Sequence, residues 1–193
     1  MDYDKTRFHQ QYETDRLLLK ILDERYAGEV LSFLNEGAPA FDEYESEKAS
    51  DFYTTSFQQR VLKVEYNMAL NKSAVRFYVF KKEDPYKIIG TISFSFVRQA
   101  PFHSAMIGYK FLPSEWHKGY ALESLSAALY ITRPILELMR VEAFVLPENR
   151  ASQKLLSRAG FTLEGTANKV LEVNGIRRDH LQYSYLYKSD SLI

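Results

Sequence analysis

Hydrophobic positions along the chain fall into segments whose period changes from one to the next. Apolar residues run almost unbroken over 16–22, "RLLLKIL", which predicts a strand. From Asp23 to Gly37, Tyr26, Val30, Leu31 and Leu34 recur at helical spacing, with Asp23 placed as an N-cap and Gly37 as the C′ residue. Phe57, Val61, Leu62, Val64 and Met68 predict a second helix within 51–70. The period then drops to two. "AVRFYVFKK" (74–82) and "KIIGTISFSFVR" (87–98), turned at Asp84-Pro85, read as an antiparallel hairpin, and "SAMIGYKFL" (104–112) adds a third strand ended by Pro113.

Helical spacing returns over 117–136, where Leu122, Leu125, Ala128 and Leu129 form one stripe and Pro134 is expected to end or kink the regular part. "RVEAFVLP" (140–147) reads as a short strand buried on both faces. "ENRASQKLLSRAG" (148–160) is a helix with Asn149 as N-cap, Gly160 at C′ and Phe161 folding back on Leu156. Two closing strands flank Asn174-Gly175, a strong hairpin signal. Residues 1–14 read as an N-terminal arm or a short first element. The order predicts a single domain over 1–193. Its class is α+β, a mixed, mostly antiparallel sheet with helices on its faces, and the strand–helix–strand step at 104–146 supplies one parallel pair.

Composition narrows the function. The chain has 193 residues, 46% of them apolar, enough for a substantial core. The 14 tyrosines and 13 phenylalanines suit either a half-buried sheet or an apolar acceptor cleft. With 25 basic against 25 acidic side chains there is no basic excess, so no nucleic-acid partner is expected. The absence of cysteine removes disulfides, thiolate metal sites and a cysteine nucleophile, and no metal is expected. The polar opening "MDYDKTRFHQQYETDR" has no apolar core, and no run approaches the roughly 18 apolar residues of a membrane span. A soluble cytoplasmic protein without a membrane partner is therefore expected.

"SEWHKGYALESL" (114–125) places Gly119 and Ala121 at the mouth of a good helix. A helix start leaves its first N–H groups unpaired at the positive end of the dipole, a site for an anion wherever no side chain blocks the approach. Gly119 gives that access and Ala121 nearly does, with His117 and Lys118 adding charge. An ordinary glycine hinge is the other reading of these letters. The spacing is neither that of a P-loop nor that of a dinucleotide fingerprint.

The ordered pair of segments changes this. Trp116-His117-Lys118-Gly119-Tyr120-Ala121, followed some 28 residues on by "ENRASQKLLSRAGF", resembles the GNAT superfamily of acetyl-coenzyme A-dependent N-acetyltransferases. Asn149-x-x-Ser152 leading to Gly160-Phe161-x-x-x-Gly165, with the closing "VLEVNGIRRDHLQYSYL", is most similar to its RimJ/RimL-like group, which acetylates ribosomal-protein N-termini. The likeness runs from about 14 to 188. Trp116 departs from the glutamine or arginine often found there. The resemblance implies a GNAT fold in which strands 104–112 and 140–146 splay apart and admit acetyl-coenzyme A, with Phe111 and Leu112 presenting backbone to its pantetheine. It also implies that His117, Lys118, Gly119, Tyr120 and Ala121 hold the pyrophosphate, and that Asn149 reaches a pantetheine amide, caps its helix, or does both. Ser152 is the implied proton donor to the leaving thiolate, unless it only bonds the backbone. A backbone N–H near Tyr109–Phe111 would serve the developing oxyanion.

The base is open. The family's glutamate position falls on Leu171 with Glu172 beside it, and one residue of slip sends a side chain to the opposite face unless a bulge restores it. Asp42, Glu43 and Glu45 are candidates from an acidic segment, as either a lure for a cationic amine or a solvated surface. His103, His180 and a water chain complete the set. The implied acceptor is a primary amine, taken as a protein N-terminal α-amine. A small amine such as a polyamine, amino sugar or antibiotic is the alternative, as is a catalytically silent coenzyme A-binding module. Monomer and homodimer both stay open.

Overall fold

Successive side chains of a strand point to opposite faces of its sheet, and the run Leu17-Leu18-Leu19 shows where that leads. In the computed structural model, which describes residues 4–188, Leu17 and Leu19 enter one buried core and Leu18 the other. One mixed sheet of eight strands separates the two cores. They are β1 (Gln11–Glu13), β2 (Leu17–Lys20), β3 (Val75–Lys81), β4 (Asp84–Arg98), β5 (Ser104–Phe111), β6 (Arg140–Val145), β7 (Thr162–Val173) and β8 (Ile176–Leu186), in the spatial order β1-β2-β3-β4-β5-β6-β8-β7. Every neighbouring pair is antiparallel except β5–β6. This is the α+β architecture expected, with helices on both faces. The expected arm contributes β1, while residues 1–3 lie outside the described part.

Helix α1 (Ala27–Phe41) and helix α2 (Thr55–Leu70) cover one face, where Val30, Phe33, Leu34 and Leu62 meet Tyr78, Phe80 and Ile88. Helix α3 (Tyr120–Leu136) and helix α4 (Arg150–Arg158) cover the other, where Leu125, Ala128 and Leu156 meet Phe77, Ile92, Val141 and Ala143. Among the described residues no helix is long and apolar enough to cross a membrane.

Several local expectations shift. Asp23 accepts from the Arg25 N–H, but it caps a 3-10 turn at Glu24–Tyr26 that leads into α1. Gly37 does not stop that helix, which continues through Pro39 to Phe41. A Cβ at Gly37 would lie 2.0 Å from the Phe41 ring, so the glycine is there to let that ring fold against it. Pro39 and Pro134 are tolerated inside helices because Asn35 and Tyr130, whose carbonyls lose a donor, are exposed to water. α2 starts only at Thr55, after Thr54 caps Phe57, and leaves Val64 and Met68 of its expected stripe exposed. β6 is buried on one face only, since Arg140 and Glu142 on the other are half-buried in ion pairs.

One of those pairs joins three strands. Arg140 of β6 donates to Glu164 of β7 at 2.8 Å, and Ser184 of β8 donates to the same carboxylate oxygen at 2.7 Å. The hydrogen bonds from Arg140 hold the Glu164 carboxyl down to about 2. A depressed carboxyl stabilises the fold above its ordinary value, and the contribution is lost as pH falls toward the folded value. Glu164→Gln is therefore expected to lower Tm at neutral pH by no more than about 4 °C, because the side chain is 37% exposed. Thermal scans should show this deficit shrink between about pH 5 and about pH 3. A pH-independent deficit would assign the effect to packing.

Candidate active site

The parallel ladder is short. β5 and β6 pair only at Ser104–Arg140, Ala105–Val141 and Met106–Glu142; beyond that β6 continues against β8 alone and β5 against β4 alone. The two strands thus diverge from a closed end at Met106. Leu112 N–H donates to the Ile89 carbonyl at 3.0 Å, which sets the alternation of the β4–β5 ladder. Met106, Gly108 and Lys110 turn their peptide groups toward β4, whereas Tyr109 and Phe111 turn theirs into the gap. Leu112, one of the two expected backbone contributors, therefore spends its N–H on β4. The Phe111 carbonyl is also taken: the Trp116 indole N–H donates to it at 2.8 Å. That bond gives the unexpected tryptophan a purpose, since it ties the turn after β5 to the end of the strand. Tyr109 N–H and C=O and Phe111 N–H are left facing the gap.

The turn delivers the chain to α3. Gly119 is its N-cap at φ +83°, in the left-handed region, and a Cβ there would sit 3.3 Å from Arg16 Nη2. With no capping side chain, the N–H groups of Tyr120, Ala121 and Leu122 have no acceptor within the helix, the first helical bond being Glu123 N–H to the Gly119 carbonyl. His117 and Lys118 are exposed beside them, and Lys118 is 3.0 Å from Glu115. Arg16, absent from the expected set, braces the turn. It pairs with Glu123 at 2.7 Å, donates to the Lys118 carbonyl at 3.0 Å and stacks over Tyr120 at 4.6 Å. Nothing in the local sequence signals a contact of this range.

Helix α4 opens on the other side of the gap. Asn149 Oδ1 accepts from Ser152 N–H at 3.0 Å, so Asn149 caps the helix while its Nδ2 makes no hydrogen bond to the described residues. Ser152 Oγ lies 2.6 Å from the Tyr109 hydroxyl. This pair spans the gap from α4 to β5. Burial pushes the Tyr109 phenol well up, only partly offset by Ser152, so Tyr109 keeps its proton. Tyr109 was also missed as a side chain, although a hydroxyl on the apolar side of a strand, between Ile107 and Phe111, is itself a signal.

On the opposite face of β5 a cavity of about 310 Å³ lies between the sheet and helices α1 and α2. Lys110, Arg76, Glu65, Glu45 and Lys48 line it, with Tyr109 and Gly108 at its β5 wall. Lys110 donates to Glu45 at 2.7 Å, and Lys48 engages the other oxygen of Glu45. Burial would raise the Glu45 carboxyl, but the two lysines outweigh it and hold it down. Glu65 accepts from Arg76 at 2.7 Å and from Tyr78 at 2.9 Å. Glu45 is thus drawn into ion pairs rather than presented as a lure. Asp42 and Glu43 are exposed, Asp42 within reach of the Tyr53 hydroxyl at 3.2 Å.

The remaining base candidates are dispersed. Glu172 is exposed on β7 beyond a bulge at 168–170, its carbonyl accepting from Ser46 at 3.0 Å, and it does not line the cavity. His180 is buried with Nδ1 3.0 Å from the Arg178 carbonyl. His103 sits at the closed end of the β5–β6 pair, Nδ1 3.1 Å from the Glu137 carbonyl.

A strand edge with unpaired peptide groups, an uncapped helix start that a side chain would crowd, and a hydroxyl pair between them fit an elongated phosphorylated carrier. Comparison with known proteins agrees. The model of the acetyltransferase (GNAT) domain matches residues 16–162. The chain is 30% identical over 175 residues to the probable N-acetyltransferase YjcK of Bacillus subtilis (strain 168), covering 90% of this chain and 96% of that one. It is 31% identical over 176 residues to the [ribosomal protein uS5]-alanine N-acetyltransferase of Escherichia coli (strain K12), covering 87% and 86%. The crystal structure of ribosomal-protein-S5-alanine acetyltransferase from Vibrio fischeri superposes with a TM-score of 0.86 at 24% identity, covering 93% of this chain and 97% of that one. The chain belongs to the GNAT acetyltransferase family, in its RimJ/RimL-like group, and is an acetyl-coenzyme A-dependent N-acetyltransferase.

Proposed function

We propose that the enzyme acetylates the α-amine at a protein N-terminus, as a cytoplasmic enzyme of ribosomal-protein type. The observation that carries this is the cavity under α1 and α2 with Tyr109 in its β5 wall, while the Tyr109 hydroxyl meets Ser152 of α4 across the gap. The cavity's volume is at the low end for small-ligand sites, which suits the end of a chain better than a long segment. The similarity to a uS5-alanine N-acetyltransferase supports the same acceptor class.

Acetyl-coenzyme A, when bound, supplies the acyl thioester that the amine attacks. The unpaired peptide groups of Tyr109 and Phe111 hold the carrier's arm as an added strand. The free N–H groups at the start of α3 hold its diphosphate, with His117 and Lys118 beside them. Asn149 Nδ2 is placed to donate to the arm. With Tyr109, kept protonated by burial, as donor to Ser152 Oγ, the Ser152 O–H points into the gap and hydrogen-bonds the leaving thiolate, which ends as a thiol by taking up a proton from water in exchange for the one the amine releases. The amine's proton departs through water at the cavity mouth. Glu172, beside the loop that forms the cavity's rim, is the competing acceptor, and an unchanged kcat in Glu172→Gln assigns the proton to water.

Thiol release from acetyl-coenzyme A tests the acceptor. Peptides beginning with alanine, serine or threonine are expected to turn over, with kcat/KM above those of polyamines and aminoglycosides. Turnover with the small amines alone would replace this reading by small-molecule acetylation.

A further inference from the structure

The cavity beneath α1 and α2 does not have the charge expected for drawing in a bare cation. Three cationic side chains, Lys48, Arg76 and Lys110, line it against two carboxylates, Glu45 and Glu65. Both carboxylates are already engaged at each oxygen, Glu45 by Lys110 and Lys48, Glu65 by Arg76 and Tyr78. Arg76, in contrast, donates to Glu65 through Nε alone, so neither of its terminal nitrogens has a hydrogen-bond acceptor among the described residues. No buried side-chain nitrogen of the described residues is left unsatisfied, so those two nitrogens open onto accessible space. Two parallel N–H donors of a guanidinium match the two oxygens of a carboxylate. Lys110, only 17% exposed, shares its one carboxylate partner with Lys48, which adds to the local cationic surplus.

We propose that this cavity binds a carboxylate of the acceptor at the free edge of Arg76, so that the enzyme selects N-termini carrying an acidic side chain within the first residues. The inference rests on the N-terminal reading above. Of the two readings of the acidic segment, it sets aside the lure for a cationic amine. The surplus charge serves the chemistry as well, since a cationic site disfavours protonation of a nearby amine and keeps it nucleophilic.

The test uses C-terminally amidated peptides that differ only at the second residue, Ser-Glu, Ser-Gln and Ser-Lys, with both thiol release and calorimetric binding as readouts. A hydrogen-bonded charge pair corresponds to roughly tenfold or more in affinity. The glutamate peptide is expected to exceed the glutamine peptide in kcat/KM by about tenfold, with the lysine peptide lowest. In Arg76→Gln the glutamate advantage should disappear. Should loss of the partner to Glu65 prevent folding, Lys110→Gln should narrow the same ratio. Equal or better use of the glutamine or lysine peptide by the unaltered enzyme overturns the proposal. If no peptide turns over, the N-terminal reading fails by itself, and the calorimetric order of the three peptides still decides whether the cavity takes a carboxylate.

Discussion

Ser152→Ala is expected to lower kcat by about 10²-fold while leaving coenzyme A affinity nearly intact, the usual scale for loss of a positioned proton donor. The geometry predicts more than the single loss. The Tyr109 hydroxyl lies 2.6 Å from Ser152 Oγ, so on the proposed mechanism Tyr109→Phe removes the orientation of the Ser152 hydrogen without removing the serine. Its effect should be a smaller fall in kcat with little change in KM. In Tyr109→Phe/Ser152→Ala the losses should not multiply, because residues acting as a unit are non-additive. Steady-state thiol release on the three variants, with thermal protection by coenzyme A as the control for binding, checks the set. An unchanged kcat in Ser152→Ala would reduce that residue to a hydroxyl beside a helix cap. Multiplicative losses would separate the two hydroxyls.

Gly119→Val is expected to weaken coenzyme A binding by at least about tenfold. A β-branched residue at φ +83° is strained by about 1–3 kcal/mol, and its Cβ would crowd Arg16 at 3.3 Å. The Arg16 brace would have to move, and with it the Lys118 carbonyl that it holds. The free N–H groups of the first turn would lose both their access and their aim. Calorimetry with coenzyme A measures the affinity, and thermal melting of the apo protein gives the strain alone, a Tm loss of a few degrees. Equal affinity in the variant would remove the diphosphate assignment from this turn.

The starts of α3 and α4 were legible in the sequence for the same reason: each is a local cap signal. A glycine before a helical stripe and an asparagine three residues before a serine are cap signals within one turn of chain. The strand at 16–22 was legible as an apolar run, but its division of Leu17 and Leu19 from Leu18 between two cores is seen only once helices cover both faces of the sheet. Gly37 was misread because the same residue serves as a helix stop and as a seat for an aromatic ring, and only the position of Phe41 tells them apart. The acidic segment stayed open between two readings because charge along a sequence takes no account of Lys110, which lies 65 positions from Glu45 and meets it only once β5 is in the sheet. Arg16 on Glu123 was out of reach in the same way.

The strap beside the proposed acceptor cavity has a wider consequence. Residues 42–46 are held at the tip of the β7–β8 hairpin, where Asn174 N–H donates to the Glu45 carbonyl at 3.3 Å and Ser46 to that of Glu172. Apart from Glu45, which lines the cavity, residues 42–46 and the hairpin tip at Asn174-Gly175 are exposed, and among the described residues neither segment hydrogen-bonds to the glycine turn. On the proposed placement of acceptor and thioester donor, changes in length or charge there would reshape the choice of amine and leave the grip on the donor undisturbed. One scaffold can in this way diversify its clientele while its energy-rich reagent stays constant.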